Sequence, residues 1–129
     1  MANPADLRYA TTHEWARADG DAVVVGITAF AIEQLTEPTY LELVPVGTAL
    51  AAGGKIGVIE SYKSTSDIYT PVAGTVVERN DPLTADPRPV YDDAFGAGWM
   101  LKLRPAPGAT LDHLLTAEQY DQQLAAEGH

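Results

Sequence analysis

The chain has 129 residues, no cysteine, and 18 acidic against 8 basic side chains, for a formal net charge of −10. That balance argues against nucleic acid, whose binding runs on lysine and arginine meeting phosphate. The lack of cysteine excludes disulfides, thiolate metal ligands and a cysteine nucleophile. Apolar residues make up 46% of the chain, yet no run approaches the ~20 residues of a membrane span, so one globular domain over residues 1–129 is expected, as a monomer and not at a membrane.

Met1-Ala2-Asn3-Pro4-Ala5-Asp6 carries neither a charged-then-apolar signal segment nor an arginine-rich amphipath. The expected location is the bacterial cytoplasm, or the mitochondrial matrix only if a leader has been removed. Tyr9 to Ala18 reads as a strand, Gly20-Asp21 as a turn and Ala22 to Ile27 as a second strand, together a hairpin. Thr28 then caps a short helix from Ala29 to Leu35, ended by Pro38.

Tyr40 to Val44 alternates and reads as a strand, and Ile56 to Ile59 is a short apolar one. Tyr69 to Val77 is strand, turn, strand. Pro45–Leu50 and Pro71–Val77 resemble each other, which suggests two similar half-sheets joined by the segment between them. Asp81 to Asp93, with Pro82, Pro87 and Pro89, is expected to be loop. Trp99 to Leu103 is one more strand. Thr110 begins a helical pattern through Leu115, and Thr116 with Gln119 forms a capping box before a final helix ending near Gly128. The expected fold is mostly β, a flattened barrel or sandwich with a short internal helix and C-terminal helices. Its core lies at about residues 22–105 and its helical tail at about 110–127.

The three histidines, at 13, 113 and 129, have no metal-ligand spacing. No GxSxG, P-loop or GxGxxG is present, and with so few histidines any acid–base catalysis would fall to carboxylates. The chemistry points instead to Lys63, one of three lysines in the chain with Lys55 and Lys102. Small polar residues, Ser61, Ser64, Thr65 and Ser66, surround it between the apolar runs Ile56–Ile59 and Ile68–Val77. A lysine on a rigid turn between strands suits an attachment point. A modifying enzyme can grip the turn, and a long acyl group on the amine makes a tethered arm that visits several sites at raised effective concentration. The plain alternative is an ordinary solvated lysine.

The blocks Tyr9–Trp15, Val25–Thr28, Glu60–Gly74 and Gly96–Met100 appear in an order and spacing that resemble the glycine cleavage system H protein family. The resemblance covers about Leu7 to Leu124. It implies a lipoyl-domain hybrid barrel with extra elements at both ends and a lipoate cofactor held covalently as lipoyl-lysine at Lys63. It also implies a carrier role, in which the chain is a mobile substrate and not an enzyme, with no catalytic residue of its own. The arm takes the aminomethyl group of glycine from a pyridoxal-phosphate decarboxylase (P-protein) to a tetrahydrofolate-dependent aminomethyltransferase (T-protein), and electrons to a dihydrolipoyl dehydrogenase (L-protein). Lipoylating enzymes are further partners. An alternative within the resemblance is an H-like protein acting mainly as a lipoyl relay to other lipoate-dependent enzymes.

The methylamine nitrogen of the loaded arm is cationic, so a protecting cleft needs an acceptor or carboxylate. By position in the family's motifs, Thr12, Glu14 and Asp67 are the candidates. Without the resemblance, Glu14 reads as a surface carboxylate and Asp67 as a turn-stabilising residue. Trp15 and Trp99 read as core. A biotin carrier is disfavoured, because that family flanks its lysine with methionines where Tyr62 and Ser64 stand here. The chain departs from the family at Thr36-Glu37-Pro38-Thr39, Tyr62, Ser64 and Val90–Phe95. These departures spare the lysine and bear on partner docking.

Overall fold

A computed structural model describes residues 3–127. In chain order the elements are β1 (Arg8–Tyr9), β2 (Glu14–Asp19), β3 (Ala22–Ile27), α1 (Ala29–Leu35), β4 (Pro38–Leu43), β5 (Ala49–Leu50) and β6 (Lys55–Ser61). They continue as β7 (Thr65–Tyr69), β8 (Gly74–Arg79), α2 (Pro82–Ala85), α3 (Arg88–Asp92), β9 (Leu101–Pro105) and α4 (Ala117–Ala126). Two antiparallel sheets result, one ordered β1-β2-β3-β9-β8-β5 and the other β4-β6-β7. The mostly β sandwich expected from the sequence is what forms, with neither sheet closed on itself.

The sandwich follows from period-two burial. Ala16, Val23, Val25, Ile27, Val76, Leu101 and Leu103 of the first sheet meet Leu41, Leu43, Ile56, Ile59 and Ile68 of the second in one core. β3 is apolar on both faces, and its other face is used too. Val24 joins Leu7, Tyr9, Trp15 and Tyr120 in a second cluster outside the first sheet. That cluster seats α4, whose Thr116–Gln119 capping box forms as expected.

Several elements differ from the sequence reading. The expected strand Tyr9–Ala18 is two strands folded back on each other, with Tyr9 opposite Trp15. The chain reverses at Ala10–His13, where His13 has φ 77°. α1 spans the expected residues with Thr28 as its cap, but it stops at Thr36 (φ 70°) before Pro38, which opens edge strand β4 instead. Asp81–Asp93 is not plain loop. α2 has Pro82 as its first residue, and α3 has Pro87 at its cap and Pro89 in its first turn, where no intrahelical amide donor is needed; Leu83 and Val90 are buried beneath them. Thr110–Leu115 forms turns in place of a helix. Leu115 exchanges two backbone bonds of 2.8 Å with Tyr9.

The two similar segments do not form separate half-sheets. They pair with each other in the first sheet, Ala49 opposite Thr75 and Leu50 opposite Gly74. The β6–β7 hairpin between them projects into the second sheet and carries Lys63 at its apex.

Candidate functional site: a lysine apex beside a carboxylate cleft

β6 and β7 pair from Lys55–Tyr69 to Glu60–Thr65, so only Ser61 to Ser64 turn the corner. The Ser61 N–H donates to the Ser64 carbonyl at 2.8 Å. The Ser61 hydroxyl oxygen accepts from the N–H groups of Lys63 and Ser64, both at 3.2 Å. One serine thus fixes the backbone on which Lys63 stands. Lys63 is exposed, and its neighbour Tyr62 is 91% exposed. Tyr62 therefore stands largely clear of the fold.

The other two lysines are engaged. Lys55 pairs with Asp67 at 3.3 Å, and Lys102 sits 3.7 Å from Glu78 and 3.8 Å from Asp19. Among the described residues Lys63 makes no ion pair, so no carboxylate opposes loss of its charge on acylation.

A cleft of about 350 Å³ opens beside this apex. Ser64 and Thr65 line it at the hairpin end, Ile27, Phe30, Ala31, Leu35 and Ile59 give it apolar walls, and Thr12 and Glu14 line it from the turn before β2. Glu14 is 2% exposed. One of its carboxylate oxygens accepts from the Thr12 hydroxyl, and the other accepts from the Tyr69 N–H at 3.2 Å. Burial pushes the Glu14 carboxyl above its ordinary value, while the Thr12 and Tyr69 donors act in the opposite sense. Glu14 is therefore no surface carboxylate.

Asp67 also lines the cleft, from the middle of β7 opposite Val58. It stabilises no turn, because Ser61 does that, and its side chain meets Lys55 at 3.3 Å. Thr12, Glu14 and Asp67 thus line one cleft, and Lys63 stands next to it in sequence, through its neighbour Ser64 on the wall. Trp15 is fully buried, its indole N–H donating to the Ala94 carbonyl at 3.0 Å, whereas Trp99 is only half-buried against the second cluster.

The sequence reading missed His13, Phe30 and Glu127, which also line the cleft. His13 and Phe30 are adjacent to identified features, with ring centroids 4.9 Å apart. Nothing local in the sequence shows that Glu127 returns to the same place.

Comparison with known proteins decides what this arrangement belongs to. The family model "Glycine cleavage H-protein" matches residues 7–127. The chain belongs to the glycine cleavage H-protein family. The H protein of Gloeothece citriformis is 48% identical over 125 residues, covering 96% of this chain and 95% of that one. The H protein of a Synechococcus species is 46% identical, with 98% of both chains covered. The crystal structure of the H protein from Mycobacterium marinum superposes with a TM-score of 0.87 at 36% identity, covering 95% of this chain and 99% of that one.

The residues of this H-family chain fit an acyl-lysine arm. β7 runs from Thr65 beside the apex to Tyr69 on Glu14, roughly 13 Å at the usual rise per strand residue. A bare lysine side chain does not cover that distance, and one lengthened by an acyl chain does. Among the described residues no cluster of side chains could hold a metal ion.

Proposed function

We propose that this chain is the lipoyl-bearing carrier of the glycine cleavage system, with the lipoyl group on Lys63 and a resting cleft formed by Thr12, Glu14 and Asp67. The observation that carries the reading is an exposed, unopposed lysine on a pinned hairpin apex, opening directly onto a cleft that holds a buried, hydrogen-bonded carboxylate. When bound, the lipoyl group supplies the sulfur that receives glycine's aminomethyl group at the P-protein, yields it at the T-protein and passes electrons to the L-protein.

The chain's own residues supply the rest. Ser61 holds the apex backbone in one shape for lipoylating enzymes to grip. Lys63 Nζ forms the amide and gives up its charge. Ile27, Phe30, Leu35 and Ile59 keep water from the cleft walls. Glu14, fixed by Thr12 and the Tyr69 N–H, offers a preorganised negative charge to a cationic nitrogen, and Asp67 adds a second, half-exposed one. The chain catalyses nothing in this reading. It is presented in turn to separate enzymes in the cytoplasm.

Intact mass with peptide mapping across residues 56–79, on protein made in a lipoylating host, tests the site. The expected result is one lipoyl adduct, on Lys63, absent from Lys63→Arg. An unmodified chain, or an adduct on Lys55 or Lys102, defeats the assignment. Glycine–CO2 exchange with the P-protein then separates the carrier from a lipoyl relay. Fully lipoylated chain that supports no exchange is a relay.

A further inference from the structure

Thr12 reaches Glu14 because the chain turns sharply between them. His13, the residue in the turn, lies at φ 77°, a left-handed conformation that a histidine adopts only when its surroundings hold it. Its N–H donates to the Ala10 carbonyl and its carbonyl accepts from the Thr28 N–H, both at 3.0 Å. Its ring is held from α4, more than a hundred residues later: Nδ1 lies 2.7 Å from the Tyr120 hydroxyl.

Tyr120 is fully buried and stacked on Tyr9, with centroids 4.7 Å apart and planes 6° apart. Its hydroxyl is also 2.8 Å from the Thr28 hydroxyl. Both contacts are satisfied when Thr28 donates to Tyr120 and Tyr120 donates to His13. Neutral His13 then keeps its proton on Nε2, the side that faces Glu127 at 3.6 Å. One helical turn beyond Tyr120, Gln123 donates to the Thr11 carbonyl at 3.0 Å. α4 therefore holds two of the residues leading into Glu14.

We propose that Tyr120 is a positioning residue for the cleft. Acting through His13, it fixes the Thr11–His13 turn so that the Thr12 hydroxyl is delivered to Glu14, with Gln123 as a second tie. The inference rests on the reading of this cleft as the arm's resting place, and it assigns α4 a part in building that site.

The test is the carboxyl titration of Glu14, followed by carbon NMR on the unlipoylated full chain. The titratable groups sharing the cleft are His13 on the turn, Asp67 on β7 and Glu127 at the C-terminal cap of α4, with Tyr120 behind; α1 contributes none. A donor lost from the ionised carboxylate raises its midpoint. Tyr120→Phe keeps the stacked ring and removes only the hydroxyl, so a rise of roughly half a unit to one unit is expected. Tyr9→Phe, which loses a comparable bond to the Pro4 carbonyl (2.6 Å) in the same ring stack, is expected to leave Glu14 unmoved.

In a Thr12→Val background, Tyr120→Phe is expected to add nothing. No shift in Tyr120→Phe, an equal shift in Tyr9→Phe, or an additive shift in the Thr12→Val background overturns the proposal. Should Tyr120→Phe fail to fold, the partly exposed Gln123→Ala decides. A smaller rise supports the proposal and an unmoved midpoint overturns it. None of these readouts uses lipoylation, so a chain that shows them and carries no adduct refutes the carrier reading alone.

Discussion

The Lys63 apex and the Thr11–Glu14 turn are both short connections into a strand, and they are held in different ways. The apex is held locally: Ser61 supplies the bonds, and Tyr62, Lys63 and Ser64 face water. The turn is held from afar, by Tyr120 and Gln123 on α4, Thr28 before α1 and Tyr69 at the end of β7. An attachment point must be reached by other enzymes and needs only a fixed backbone. A protecting cleft must exclude water around a charge, which takes groups converging from several elements.

If that contrast holds, the apex tolerates change in stability terms and the cleft does not. The largest expected effect is functional: Lys63→Arg keeps length and charge, cannot be acylated, and abolishes lipoylation and carrier turnover. Its melting temperature is expected to match the parent's, and a clear drop would mean that the apex carries packing.

Next is Gly26→Ala, behind the cleft. A Cβ there would lie 2.8 Å from the Trp15 ring, which the bond to Ala94 keeps from retreating. A loss of about 1–3 kcal/mol is expected in urea unfolding. A neutral result would show that the indole shifts freely and that β2 is less fixed than described.

Glu14→Ala is expected to leave lipoylation unchanged while shortening the lifetime of the loaded carrier several-fold, an effect of about 1 kcal/mol or more. An unchanged lifetime removes Glu14 from the arm's protection and blurs the contrast.

The pH dependence sharpens it further. Burial raises the folded-state midpoint of Glu14 above its ordinary value of 4.5. Between those two values the folded chain binds more protons at this site than the unfolded chain. The Glu14 contribution is therefore fully present below the ordinary value and is lost as pH rises through the raised one. Glu14→Gln should remove that falling component when unfolding midpoints are compared from pH 4 to 7. A component that rises with pH instead would mean that the Thr12 and Tyr69 donors outweigh desolvation.

The smallest effect overall is expected from Tyr62→Val. At 91% exposure the ring packs on little, so a change in stability within about 0.5 kcal/mol is expected. Its effect should fall on the rate of lipoylation or of P-protein turnover, measured against the parent. A marked loss of stability would place the tyrosine against the fold.

What was legible in the sequence were the features set by local rules. The β2–β3 turn at Gly20-Asp21, the Thr28 cap of α1 and the Thr116–Gln119 capping box each depend on residues within one turn, and each formed where expected. Lys63 stood out because rare lysine and abundant small polar residues mark an exposed corner. The left-handed His13 was not legible. Thr11-Thr12-His13 is compatible with strand, and besides the local bonds between Ala10, His13 and Glu14 the turn is held by Thr28, Tyr120 and Gln123, distant in sequence. Nor were α2 and α3, where burial of Leu83 and Val90 turns a proline-rich stretch into short helices.

The sequence by itself determined where an exposed lysine stands, because exposure at a tight hairpin is a local property. Only the tertiary structure decided what lies beside it. Glu14 is a strand residue in an acidic chain until Thr12, Tyr69 and the apolar walls close around it. Burial and preorganisation belong to groups that converge in space, and the chain's order does not record that convergence.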